Sequence, residues 1–165
     1  MSTAPAGSDL TAQRTMRAFL SAARLLSEQL GRELRRESDV SQIHYEVLAW
    51  LSDAPGLSLP MTALARRTGV STSRLTHLVD RLEQQGRVER LASPADGRVH
   101  LAHLTPAGLR ALEDAAPWHA ACARTRLLDH LSDEQLRQLH AISEQLQHHL
   151  TGHGTPHVDR ERDPV

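Results

Sequence analysis

Apolar positions fall at steps of three and four along most of this chain, and residues that end helices mark the places where that rhythm stops. Between Asp9 and Glu37, Met16, Phe19, Leu20, Ala23, Leu26, Leu30 and Leu34 recur at helical spacing with Arg and Glu between them. This predicts one long helix; Gly31 weakens it by only about 1 kcal/mol relative to Ala. Such a helix is too long for one small module to cover, so a partner helix is expected. Ser38 to Ser41 interrupts the pattern, and Ser41 is suited to cap a second helix through Trp50 and Leu51. The run APGLSLP supplies breakers. A third helix turns Met61, Leu64 and Ala65 inward. Gly69 then stands where a left-handed residue is wanted, since it carries no Cβ.

The fourth helix is the most regular piece. Ser71 caps it, and Leu75, Leu78, Val79 and Leu82 form one buried stripe. Ser73, Thr76, His77, Asp80 and Gln84 lie opposite, flanked by Arg74 and Arg81. Gly86 ends it. RVERLA and VHLAHL read as two strands around the loop SPADGR. Thr105-Pro106 is a specific helix start. The fifth helix passes Leu109 and Leu112 and meets Pro117, which is expected to kink or reset it before Trp118, Cys122 and Leu127. Ser132 to Gln135 is a capping box opening a last helix with Leu136, Leu139, Ile142, Leu146 and Leu150. Residues 1–8 and 151–165 lack periodicity and are expected to be disordered.

The expected fold class is mainly α: a winged helix-turn-helix over 58–104 with a small two-stranded β wing. Helices over 9–57 and 105–150 flank it and are expected to serve dimerisation and support. A helix-turn-helix exists to set one helix in the DNA major groove.

Charge supports that reading locally. The formal net charge is −1, but residues 60–105 hold seven Arg against four acids, while the segments on either side carry an acidic surplus. A local basic surface can steer toward phosphate whatever the total. All basic residues are Arg, and Ala and Leu dominate over the few aromatics. The single cysteine excludes an internal disulfide. The N-terminus lacks the features of a secretory signal, and no apolar run reaches the length of a membrane span. A cytoplasmic protein without membrane contact is therefore expected. No glycine-rich phosphate loop, HExxH, GxSxG or cofactor lysine is present, so neither an enzyme nor a cofactor is expected. His148, His149, His153 and His157 gather near the C-terminus, but without Cys or a fixed carboxylate they do not read as a metal site.

The block from Ala63 to Leu112 resembles the multiple-antibiotic-resistance regulator (MarR) family of transcription factors. The resemblance rests on Leu-Val-Asp-Arg-Leu-Glu at 78–83 followed by Gly86, on Pro94-Ala-Asp-Gly-Arg98, and on Leu104-Thr-Pro-Ala-Gly108, in that order and spacing. It implies a homodimer held by the first and last two helices, with each winged unit reading half of a near-palindromic operator in double-stranded DNA. It also implies a repressor that releases DNA when a small phenolic or anionic effector binds. An activator, a metal- or redox-responsive regulator, or a dimeric interaction module without DNA binding are the alternatives.

Carried over residue by residue, the resemblance sets Ser71, Ser73, Arg74, Thr76 and His77 near bases and phosphates, with Arg81 beside them. Arg74 is the one able to pair bidentately with guanine. In the wing, Asp96 is expected to brace the loop through an Arg near the helix-turn-helix, and Arg98 and Arg90 to reach the minor groove or backbone. Gly97 departs from the further Arg that many members carry. Arg66 and Arg67 read either as solvated charges or as phosphate contacts. The second and fifth helices would line the effector cavity, making His44, Tyr45, Trp50 and Trp118 candidate contacts; a helix-surface or interface role for His44 and a core role for both Trp are the plainer readings. Cys122 lies close to Arg124 and Arg126, yet redox-sensing members keep their cysteine in the first helix, so it reads as a small buried residue.

Overall fold

The computed structural model describes residues 6–93 and 96–151. Six α-helices run α1 Ala6–Glu37, α2 Gln42–Ser52, α3 Met61–Thr68, α4 Thr72–Gln84, α5 Pro106–Arg126 and α6 Asp133–Thr151. Three strands, β1 Ser58–Pro60, β2 Val88–Ala92 and β3 His100–Leu104, form one antiparallel sheet in the order β1-β3-β2. The mainly helical winged fold agrees with the sequence expectation, and the helices begin where their capping residues stand. Ser41 Oγ accepts from His44 N, and Thr105 Oγ accepts from Gly108 N at 3.0 Å. Each satisfies one of the orphan amides of a first turn. Gly69 and Gly86 follow α3 and α4 with φ of 67° and 68°.

Three details differ from the expectation. The chain of breakers after α2 contains β1, whose Leu59 is buried opposite Ala102; a run of three residues is too short to carry a readable alternation. Pro60 is tolerated because β1 is the edge strand and Pro60 is its last residue. Residues Ala6–Ser8 and Thr151 are helical rather than disordered; the other residues of the two expected disordered ends lie outside the described residues. Finally, of the two outcomes expected at Pro117, a kink or a reset, the reset does not occur: α5 continues through Trp118 and Cys122 to Arg126.

The chain divides into two compact units, one ending at His130 and one beginning at Leu131. In the first, Leu34, Val40, Val47, Leu48, Leu51, Leu64, Leu75, Val79, Leu82, Val88 and Leu104 make a single apolar core. The C-terminal part of α1 is bound into that core by Leu34. The N-terminal part of the predicted stripe is not: Met16, Phe19 and Leu20 are 61, 47 and 58 % exposed, whereas Leu30 is 9 % exposed. In the second unit α6 opens on the expected capping box. Gln135 N donates to Ser132 Oγ while Ser132 N donates to Gln135 Oε1. Ile142, Leu146 and Leu150 on this helix are exposed.

Candidate nucleic-acid interface

Burial fixes which face α4 can offer. Leu75, Val79 and Leu82 are completely buried, and an α-helix held along one stripe has no freedom to rotate. Ser73, Arg74, Thr76 and His77 are consequently exposed together on its first turns. Ser71 is used as the N-cap, accepting from Arg74 N at 3.3 Å. Thr76 donates its hydroxyl to Thr72 O, so what it offers outward is an acceptor and a methyl group. Among the described residues no acid pairs with the Arg74 guanidinium. His77 stands 3.8 Å from an Asp80 oxygen.

Arg90 behaves otherwise than the sequence suggested. Its guanidinium reaches back from β2 to α4, where it donates to Asp80 Oδ1 at 2.6 Å, to the Thr76 carbonyl at 3.1 Å and to Glu83 Oε2. Its backbone amide also donates to Glu83. Charge-assisted bonds to two carboxylates neutralise the guanidinium and hold it against α4. Arg90 is a brace between strand and helix. The expected brace from Asp96 to an arginine near the helix-turn-helix is not what the wing shows: Asp96 Oδ1 accepts from Arg98 N at 3.0 Å, a turn of the loop upon itself. The Arg98 side chain is left exposed and unpaired among the described residues. Together with Thr76 and His100 it lines a cleft of about 520 Å³ between α3, α4 and the wing. Pro94 and Ala95 lie outside the described residues.

The start of α5 is fastened to the end of α4. Thr105 donates its hydroxyl to the Gly86 carbonyl at 2.6 Å and its amide to the Arg87 carbonyl at 3.1 Å. A Cβ on Gly108 would lie 2.0 Å from that same Arg87 oxygen, a separation no side chain can adopt. The motif Leu-Thr-Pro-Ala-Gly is thus a joint as well as a helix start.

Arg81, in the last turn of α4, lies away from the exposed group at its N-terminal end. It lines a cavity with Arg35 and His44. Arg67 is held 5.1 Å over the Trp50 ring, a cation–π contact, whereas Arg66 is simply exposed. The four effector candidates do not converge on one cavity. Tyr45 stacks on His119, ring centroids 4.2 Å apart, and burial lowers the His119 pKa and raises that of Tyr45. Trp118 is 47 % exposed beside a smaller cavity that it shares with Cys122. Cys122 is a free, buried thiol, as its apolar reading required. His119 escaped the sequence reading because nothing in the spacing of residues pairs position 45 with position 119. His153 and His157 lie outside the described residues; among the described residues no His, Cys, Asp and Glu group is suited to a metal ion.

A family profile described as the MarR family matches residues 38–99. Sco3205 from Streptomyces coelicolor, a MarR family transcriptional regulator solved in complex with DNA, is 35 % identical with a TM-score of 0.75; the alignment covers 83 % of this chain and 86 % of that one. AbsC, a MarR family transcriptional regulator from the same organism, is 34 % identical with a TM-score of 0.76, over 87 % of this chain and 96 % of its own. The uncharacterized HTH-type transcriptional regulator YsmB of Bacillus subtilis is 26 % identical over 74 % of this chain and 82 % of its own length.

Proposed function

Because the chain belongs to the MarR family of transcriptional regulators, we propose that it is an effector-responsive repressor that binds a near-palindromic operator as a homodimer in the cytoplasm. The observation that carries this reading is the outward group Ser73, Arg74, Thr76 and His77, fixed by the fully buried Leu75, Val79 and Leu82 behind it. It combines a guanidinium able to pair with guanine, hydroxyls and an imidazole on one helix end, the composition that direct readout uses. Arg98 on the wing adds a cation that is unpaired among the described residues and lines a cleft with Thr76. Two copies of α4 would enter successive major grooves about 34 Å apart.

Dimerisation is supported by the apolar side chains that a single chain leaves uncovered on α1 (Met16, Phe19, Leu20) and α6 (Ile142, Leu146, Leu150). No described helix is long and apolar enough to cross a membrane.

A mobility shift with the promoter of the protein's own gene tests the proposal. A sequence-selective complex that weakens steeply with salt is expected. Arg74→Ala should relax base preference at one position by roughly 1–3 kcal/mol, and Arg98→Ala should weaken all sequences about equally. Absence of any sequence-selective complex at micromolar protein overturns the reading.

A further inference from the structure

Arg87 follows Gly86 at the corner between α4 and β2, and three parts of the fold meet on it. Its amide donates to the Leu82 carbonyl at 2.8 Å, closing the end of α4. Its carbonyl accepts from Thr105 N at the start of α5. Its side chain reaches the connection between α1 and α2, where the guanidinium forms an ion pair with the Asp39 carboxylate. Among the described residues this is the one ion pair that joins that connection to the winged unit.

The two members of the pair are unequal. The Arg87 side chain is 11 % exposed and that of Asp39 77 %. Arg87 Nη1 is buried without a hydrogen-bond partner, so Asp39 rather than a cage of acceptors holds the guanidinium where it is. The other charges nearby oppose that placement: Arg35 and Arg81 line the recess beside Asp39, and no second acid lines it. A buried cation that loses its partner carries an uncompensated desolvation cost, and a long arginine side chain sheds that cost by swinging into water. Asp39, for its part, stands on a firm mount. Ser38 N and Ser38 Oγ each donate to the Leu34 carbonyl at 2.8 Å. Val40 N donates to Ser38 Oγ, and Val40 is buried in the core.

We propose that Arg87 is a positioning residue: through its ion pair with Asp39 it holds the C-terminal end of α4 to the α1–α2 connection and so fixes the direction in which α4 presents Ser73, Arg74, Thr76 and His77. Arg90 ties α4 to β2 inside the winged unit, whereas Arg87 ties that unit to the helices behind it. Hydrophobic burial is non-directional, while a charge-assisted pair holds two groups at a set distance. With the pair open, α4 keeps its fold on Leu75, Val79 and Leu82 but loses its fixed direction relative to α1. In the operator-bound homodimer proposed above, on which this consequence rests, the pair sets how strictly two copies of α4 demand one spacing of half-sites.

The test uses the full-length protein. Spin labels on Arg32→Cys in α1 and Ser73→Cys in α4, both exposed positions, report the distance between these helices in a Cys122→Ala background, with labelled chains diluted into unlabelled protein. Asp39→Asn, at an exposed position where folding is verified by melting, should broaden the distance distribution. Arg87→Met, which removes the other charge, should broaden it likewise, and Asp39→Glu should leave it as narrow as in the unaltered chain. A distribution unchanged in Asp39→Asn and Arg87→Met overturns the proposal whatever the protein does with DNA. Mobility shifts then read the consequence, on the bound promoter sequence with one base pair inserted or removed between half-sites, a displacement of about 3.4 Å. The unaltered chain and Asp39→Glu should lose at least about tenfold in affinity on the altered duplexes. Asp39→Asn should lose about tenfold on the native spacing and differ less than about threefold between spacings. Deleting an acid strengthens attraction to phosphate for every sequence, so a loss confined to the native spacing has direction rather than charge as its cause. Equal weakening at all spacings makes the pair a matter of stability alone and overturns the proposal. No selective complex with the unaltered chain defeats the operator reading alone, because the label distances judge the pair without DNA.

Discussion

Arg90 and Arg98 stand on the same hairpin, carry the same charge and do different work. Arg90 is spent on Asp80, Glu83 and the Thr76 carbonyl, while the Arg98 side chain is free among the described residues. Salt dependence separates the two roles. Removing a phosphate contact lowers the slope of log K against log salt by about 0.9. We expect Arg98→Ala to show that loss. Arg90→Ala should weaken operator binding and lower the melting temperature while leaving the slope nearly unchanged, because its effect is to release α4 from β2. A slope that falls in Arg90→Ala as in Arg98→Ala would mean that Arg90 leaves its carboxylates to meet DNA. The capping residues Ser41, Ser71, Thr105 and Ser132 were legible from sequence because a cap acts within three residues. Arg90 was not, since its partners lie seven to fourteen residues upstream and come within reach only when the chain turns back into β2.

At the scale of elements, long periodic helices were legible and short or cross-chain features were not. The stripe of α4 showed its buried face directly. Strand β1 is a strand because β3 offers it an edge, a fact that Ser58-Leu59-Pro60 does not carry. The same limit hid the meeting of α2 with α5 through Tyr45 and His119. That joint and His44 make a pH prediction. Burial lowers the pKa of both His119 and His44, so the unfolded chain takes up protons near pH 6.5 that the folded chain refuses. Stability is then fully present above the unfolded pKa of about 6.5 and is lost as pH falls from there toward the folded values. Thermal melts between pH 7.5 and 5.5, a window above the ordinary carboxylate range, should show a falling Tm. The fall should flatten in the double variant His44→Gln with His119→Gln. A Tm independent of pH across that window contradicts the assignment of both groups as neutral in the native state.

For the whole molecule, the exposed apolar surface on the N-terminal half of α1 is the observation that bears most on the proposed homodimer. Scattered exposed apolar residues are ordinary, but Met16, Phe19 and Leu20 follow one another along a single helix face. If a second copy covers them, stability depends on protein concentration by mass action. A Tm that rises with concentration is expected, together with a dimeric mass in sedimentation. Phe19→Ser combined with Leu20→Ser should shift the protein toward monomer and lower its operator affinity. A chain that stays monomeric at every concentration would rule the homodimer out. The length of α1 raised the expectation of a partner, but not which part of the helix is exposed, because Leu34 and the residues above it carry the same periodic signal.

The contact of Gly108 with the Arg87 carbonyl has a mechanical side. With no room for even a methyl group between them, and Thr105 bonded to both Gly86 and Arg87, the foot of α5 is clamped to the end of α4, and any tilt of α5 would take that clamp as its pivot. An α-helix rises about 1.5 Å per residue, so the 21 residues of α5 make a lever of roughly 30 Å. A tilt of about 5° about that pivot moves the far end by roughly 3 Å. Read in reverse, a modest shift imposed at the far end of α5 would reach α4 as a small rotation with little displacement.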